Sequence, residues 1–457
     1  MRATGLFAVL LLSACGGEAD EAPAKAPAPV FKIGSNAEPK VAPKVAPEVA
    51  PKPWSDAWLE REAQRYLDDP QFRRAQLEAS LTNPDNQYSR KRLASYGLGD
   101  RGWDALPEWL PATAPITNDQ LSALREADQL PTPSATIWDG RRPTTLAEWV
   151  ALGERVFFDY PLRPEPFARH ALRNPELGES VGLRPDADGR WPGVVAFVDL
   201  DGETRVGITC ALCHVGEDAS AQLVVGRARR KLDYGLMHLA FYRDTGTPLD
   251  PRLAERMGNW GPGRADITDD DDEDPVAIPD LWGIRELRYL TQAATLRHDH
   301  PAALAIRQET QLLHANRERT RPPRELAWAL TMYVYSLAPP PRAKPIAPRV
   351  AVRGQALFER SCAGCHSEPS GAGEPIPAGR VGTDRALAFG HARGTGLYRP
   401  APLVRVADAG PYLHDGSVES LEDLLDPARL EHTPGHRFAT DRPAPERDAL
   451  LAYLRTL

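Results

Sequence analysis

Apolar positions between residues 141 and 457 fall into two similar sets. Leu146, Trp149, Val150, Gly153 and Phe157 recur at helical spacing and share one face. Gly354 and Phe358 repeat the Gly/Phe pair at i, i+4. Each stretch has a later apolar counterpart, and Ala329-Leu330-Thr331-Met332-Tyr333-Val334-Tyr335-Ser336-Leu337 aligns without a gap on Ala449-Leu450-Leu451-Ala452-Tyr453-Leu454-Arg455-Thr456-Leu457. The pattern predicts two helix pairs, each with a glycine where a second helix crosses closely. Apolar residues crowd Tyr234 to Tyr242 as a further helix with Met237 in its core. The stretches Val194–Val198 and Arg205–Thr209 around Asp201-Gly202 predict a hairpin. Residues 54–140 read as mostly helical, carry Trp54, Trp58, Trp103, Trp109 and Trp138, and contain no catalytic motif; they are expected to wrap the rest. The fold class is mainly α.

Composition divides the chain further. Of its 45 prolines, many lie in an Ala/Pro/Lys/Glu stretch from Gly16 to Pro53, with the near-repeat Lys44-Val45-Ala46-Pro47-Glu48-Val49-Ala50-Pro51. Such a segment buries almost nothing and is expected to be a disordered, extended tether. Ala338–Pro348 is a second Pro-rich run, read as a linker. The resulting division is 1–15, 16–53, 54–140, 141–337, 338–348 and 349–457. The net charge of −8, with Lys and Arg scattered rather than bunched, argues against a nucleic-acid surface. Met1-Arg2, an apolar stretch from Leu6 to Leu12 and Leu12-Ser13-Ala14-Cys15 form an export leader. Its end resembles the lipobox of bacterial lipoproteins, which implies cleavage before Cys15 and acylation of that cysteine. Gly16 and Gly17 follow with no Asp at the second mature position, and by the same resemblance the destination is the outer membrane of the cell envelope. The lipid would be the membrane contact, since nothing after residue 15 offers eighteen consecutive apolar residues.

The other four cysteines stand in Cys210-Ala211-Leu212-Cys213-His214 and Cys362-Ala363-Gly364-Cys365-His366. Each is a C-x-x-C-H attachment sequence for a c-type haem. Two thiols at this spacing add across the vinyl groups of one porphyrin edge, and the next residue brings an imidazole to the iron. Cys210, Cys213, Cys362 and Cys365 are therefore the expected attachment points of two covalent haems, with His214 and His366 as proximal ligands. A zinc site from two Cys pairs would not need a histidine directly after both.

A helix, an attachment sequence and a closing helix with an aromatic resemble the cytochrome c fold, here in two tandem copies over 141–337 and 349–457. Pro402-Leu403, Pro411-Tyr412-Leu413-His414-Asp415-Gly416-Ser417-Val418 and Leu421-Glu422-Asp423-Leu424-Leu425 resemble the bacterial dihaem cytochrome c peroxidase superfamily, which includes the dihaem rubber oxygenases. The first copy carries an echo in Pro279-Asp280-Leu281-Trp282 and Tyr289-Leu290-Thr291-Gln292, with Thr291 where the second has His414. The resemblance implies haem-based electron transfer fed by a donor protein or small redox carrier. It leaves open a peroxidase-like oxidoreductase, an oxygen-dependent rubber-oxygenase-like enzyme, and a non-catalytic relay with both irons six-coordinate.

No methionine follows Met332, so the second haem's domain supplies no thioether; His391, His414, His432 and His436 are its available nitrogens. The peroxidases draw a Met from a position near Ala428 here, whereas Pro434-Gly435-His436 resembles the late Gly-His motif of the rubber-oxygenase-like members. That resemblance implies a His366/His436 iron. His314 lies 15 residues before Ala329 much as His436 lies 13 before Ala449. It is the expected distal ligand of the first iron, with His298, His238, His300 and a loop Met257 as rivals. Glu309 is a candidate proton-transfer carboxylate, or else a surface residue. The acidic run Asp269–Asp274 suggests calcium by its hard oxygens but lacks the glycine and closing Glu of an EF-hand loop; a solvated loop is the alternative.

Overall fold

The computed structural model describes residues 51–266, 274–341, 348–367 and 369–457. Cys15, nearly all of the tether and most of the acidic run lie outside the described residues. Helix Leu146–Asp159 begins where Thr145 accepts the N–H of Glu148, and helix Arg324–Ser336 crosses it. The approach is so close that a β-carbon on Gly153 would lie 2.0 Å from the Ala329 carbonyl oxygen and 2.6 Å from Tyr333 Cβ. In the second pair, Pro348–Ser361 against Ala444–Leu454, a β-carbon on Gly354 would lie 1.9 Å from the Ala449 oxygen and 2.8 Å from Tyr453 Cβ. The repeat extends to side chains. Phe157 meets Tyr333 at 5.3 Å between ring centres and 56°, and Phe358 meets Tyr453 at 5.2 Å and 54°. Helices hold 45% of the residues and strands 12%, so the chain is mainly α.

Residues before the first pair lie against it. Helices Asp56–Asp68 and Pro70–Ser80 start at Ser55 and Asp69, whose side chains accept the first N–H groups, and Pro70 occupies a position needing no donor. They bury Leu59, Tyr66, Phe72 and Leu77 in one core with Trp149, Trp328 and Leu330. A third helix, Gln87–Ser95, reaches the second half: Gln87 and Tyr88 donate backbone N–H groups to His391 and Ala392 oxygens at 3.2 and 3.0 Å, and Asn83 Nδ2 donates to Gly394 O at 2.7 Å.

The rest of this segment departs from the helical expectation. Residues Ala112–Thr117 and Ala135–Thr136 are strands, because the hairpin of Arg190–Val198 and Thr204–Ile208 offers Ala112–Thr117 an edge to pair with. The hairpin itself forms in the predicted place, with Val194 opposite Ile208, Val198 opposite Thr204 and Gly202 at φ +85° in the turn. Met257 is likewise not in a loop: it lies in helix Pro251–Trp260, buried with Trp260 and Ala265, so it packs rather than faces a cofactor. The two repeat halves bond directly, Arg399 N to Gln292 O at 2.8 Å and Ala277 N to His414 O at 2.9 Å, and Pro51–Leu457 is one compact unit. Among the described residues no helix is long and apolar enough to cross a membrane.

Gly153→Ala and Gly354→Ala each place a methyl where a backbone oxygen sits, so each should force its helix pair apart. Guanidinium unfolding is expected to show a loss of about 1–3 kcal/mol or more per variant. Wild-type stability in both would refute the close crossing.

Candidate haem site

Each attachment sequence turns through one helical turn. His214 N–H donates to Cys210 O at 3.2 Å and His366 N–H to Cys362 O at 2.9 Å, which carries both thiols and the imidazole to the same wall. Both sequences line a single cavity of about 790 Å³. Its walls include Phe157, Leu281, Trp282, Leu330, Phe358 and Leu450, so most of the lining is apolar.

The two proximal histidines are oriented alike. His214 Nδ1 lies 3.1 Å from Pro279 O and His366 Nδ1 lies 2.8 Å from Gly371 O. A carbonyl can only accept, so Nδ1 carries the proton and Nε2 presents a lone pair, the tautomer a metal requires. Burial lowers both pKa values, that of His214 to about 4, and keeps the rings neutral. Burial also raises the Cys210 and Cys213 thiols to about 12 and 11.

The His436 and His366 rings lie with their centres 6.3 Å apart and their planes at 63°. Two imidazoles on opposite sides of one metal, at about 2 Å per bond to nitrogen, set their centres about 6 Å apart. The loop carrying His436 is held tightly: its N–H donates to Val381 O at 2.8 Å, and Arg429 Nη2 donates to its carbonyl at 2.9 Å. Gly435 has φ +101°, and a β-carbon there would lie 2.5 Å from Thr383 N, so only glycine fits. His436 Nδ1 is buried without a partner. His414 also lines the cavity, Nε2 at 3.2 Å from Tyr398 Oη and Nδ1 at 3.4 Å from Thr383 Oγ1; His391 and His432 are exposed and do not line it.

The first half has no such counterpart. His314 does not line the cavity; it sits on helix Pro301–Ala315 with Nδ1 3.2 Å from Glu318 Oε1 and its ring against Trp103. Both nitrogens of His298 are engaged, with Leu287 O and Tyr335 Oη, and His300 caps a helix by accepting from Ala302 N–H. His238 is buried between Phe167 and Tyr234. Among the described residues lining the cavity, the polar groups of the first half besides His214 include Thr291, Gln292, Arg307, Gln308 and Gln311, with no second histidine or methionine there.

Charge on the lining is one-sided. Arg307, Arg360, Arg380, Arg393 and Arg399 face it, against Asp280 as the only carboxylate among the described lining residues, and Asp280 is paired with Arg230 at 2.9 Å. Arg399 donates only to the carbonyls of Thr291 and Pro400, and burial lowers it to about 10. Sequence reading missed these arginines, because nothing in the sequence separates them from the many others. Of the acidic run only Asp274 is described, and among the described residues no group of three or more His, Cys, Asp or Glu side chains could hold a metal ion.

No protein-family model and no curated protein matches the chain. A solved chain described as Kuenenia stuttgartiensis hydrazine synthase pressurised with 20 bar xenon is 16% identical, covers 72% of this chain and 100% of its own, and has a TM-score of 0.31, too low to establish a common fold.

Glu309 is neither a surface carboxylate nor at the cavity. It is 1% exposed, accepts from Tyr66 Oη at 2.7 Å and Tyr96 Oη at 2.6 Å, and pairs with Arg324 Nε at 3.2 Å. Burial and Glu309 push both phenols well above their usual value, so they remain donors. Arg324 would be lowered by burial, but Glu309, Tyr96 and Asp104 more than offset this and raise it. The carboxylate thus ties the N-terminal helices to the first helix pair. Glu309→Ala leaves Arg324 short of a buried partner and should cost about 3–5 kcal/mol in urea unfolding; a loss below about 1 kcal/mol would contradict the clamp.

Proposed function

We propose that the chain is a dihaem c-type cytochrome in which the two halves do different work: the Cys362/Cys365/His366 haem passes electrons and the Cys210/Cys213/His214 haem meets a small oxidant. The observation that carries this reading is the His366–His436 pair with ring centres 6.3 Å apart, with no equivalent pair beside His214 among the described residues that line the cavity. The residues fit the group: one largely apolar cavity lined by two Cys-x-x-Cys-His turns, whose imidazoles are held at Nδ1 by backbone carbonyls. Haem c bound there would supply one-electron iron chemistry and, where the distal side is open, a position for peroxide or oxygen.

The chain's own residues would divide the tasks. Gly435 and Arg429 hold the His436 loop, so His366 and His436 would both supply nitrogens to a haem bound there, and a bis-histidine iron has a lower potential than a His/Met one. Pro279 and Gly371 orient the proximal rings. The His214 side offers amide, hydroxyl and guanidinium groups rather than a ligand, which favours an oxidoreductase of the dihaem peroxidase type over a relay with both irons six-coordinate. On this reading Cys15 anchors the chain in the outer membrane facing the periplasm, and a donor protein or small redox carrier supplies the electrons.

His436→Ala should convert one low-spin haem to high-spin in electron paramagnetic and optical spectra, and Gly435→Ala should do the same by displacing the loop. A methionine–iron charge-transfer band in the wild type would overturn the ligand assignment. A wild-type high-spin signal that changes on adding peroxide supports the enzyme, whereas two low-spin haems inert to peroxide would reduce the chain to an electron carrier.

A further inference from the structure

Three separate parts of the chain meet beside Cys210. Tyr88 and Arg92 come from helix Gln87–Ser95, Arg307 from helix Pro301–Ala315, and Arg393 from the loop that the N-terminal segment clasps. The guanidinium carbons of Arg92 and Arg393 stand 3.8 and 4.4 Å from the centre of the Tyr88 ring. Arg307 acts electrostatically on Tyr88, Arg92 and Cys210, and with Arg393 it lines the cavity.

Arg92 is fully buried. Its Nη2 donates to Tyr88 Oη and, at 2.6 Å, to Thr310 Oγ1, while Nε and Nη1 have no partner. Arg307 Nη1 donates to Gln311 Oε1 at 3.0 Å. Among the described residues no carboxylate pairs with Arg92, Arg307 or Arg393; Arg73 and Arg324 pair with Asp104, and the buried Arg229 donates to the carbonyls of Val215 and Pro192. Burial, Arg393 and Arg307 push Arg92 down to about 10 despite the phenol beside it. Gathering three cations in a low-dielectric corner is costly unless an anion joins them. Guanidinium forks match a carboxylate with parallel hydrogen bonds.

We infer that Arg307 and Arg393 form a carboxylate-binding site in the cavity wall, backed by the buried Arg92 on the other side of the Tyr88 ring system, and filled by a propionate of the haem held at Cys210, Cys213 and His214 or by a small free carboxylate. The first source rests on the haem reading; the second does not. The site gives the N-terminal segment a task beyond packing, since its third helix supplies Arg92 and the Tyr88 ring on which two of the arginines stack.

The test uses the full-length purified protein, with haem content checked by mass, and compares wild type with Arg393→Gln, Arg393→Lys and Arg92→Met by thermal unfolding, redox titration and addition of sodium acetate. A propionate occupant predicts that Arg393→Gln lowers the midpoint of one haem and the Tm, that Arg393→Lys recovers most of both, and that acetate changes nothing in the wild type. A free carboxylate predicts that acetate raises the wild-type Tm saturably and that Arg393→Gln abolishes the rise. If Arg92→Met and Arg393→Gln unfold at or above the wild-type temperature and acetate has no effect, the cations have no anion to serve and the site is refuted. A chain without haem would end the haem reading, while the acetate titration would still read the site.

Discussion

At Gly153 and Gly354 the backbone of one helix lies against a carbonyl oxygen of another, with no room for a methyl group at either place. That contact fixes the rest. It brings Tyr333 onto Phe157 and Tyr453 onto Phe358, and those phenylalanines then line the cavity wall into which the attachment turns project. Two equivalent contacts, separated by a chain that bonds across at Gln292–Arg399 and Ala277–His414, enclose one cavity from both ends.

Buried charge follows two patterns, and the contrast between them is informative. Glu309, Asp104, Arg73 and Arg324 neutralise one another under the N-terminal helices, with Tyr66 and Tyr96 donating to the carboxylate. This is a closed network that holds elements together. Around Tyr88 no carboxylate among the described residues pairs with the arginines, and two of them face the cavity.

Sequence carried the features that short range decides. A five-residue attachment motif needs only one turn, the helix faces obey a fixed period, and the hairpin turn needs Gly202 where it stands. His436, which lines the cavity, was marked in the sequence by a preceding glycine and a motif resemblance. His314 does not line it, since counting residues back from the closing helix equates unlike places: His314 sits in the last turn of helix Pro301–Ala315, whereas His436 sits in a loop at φ +45°. Similar counts therefore end in different places. Glu309 escaped because its partners, Tyr66 and Tyr96, lie more than two hundred residues away, and no local pattern shows that they will cover it. Strand Ala112–Thr117 escaped for the same reason, being made by an edge far along the chain.

The central claim, that each Cys-x-x-Cys-His turn carries a covalent haem in the shared cavity, is tested most directly by intact-mass spectrometry of the chain purified from a host that exports it and attaches c-type haem, followed by peptide mapping. The account predicts a mass increased by two haems, one on the peptide containing Cys210 and Cys213 and one on the peptide containing Cys362 and Cys365. An unmodified chain, or one carrying haem at a single peptide, would contradict it.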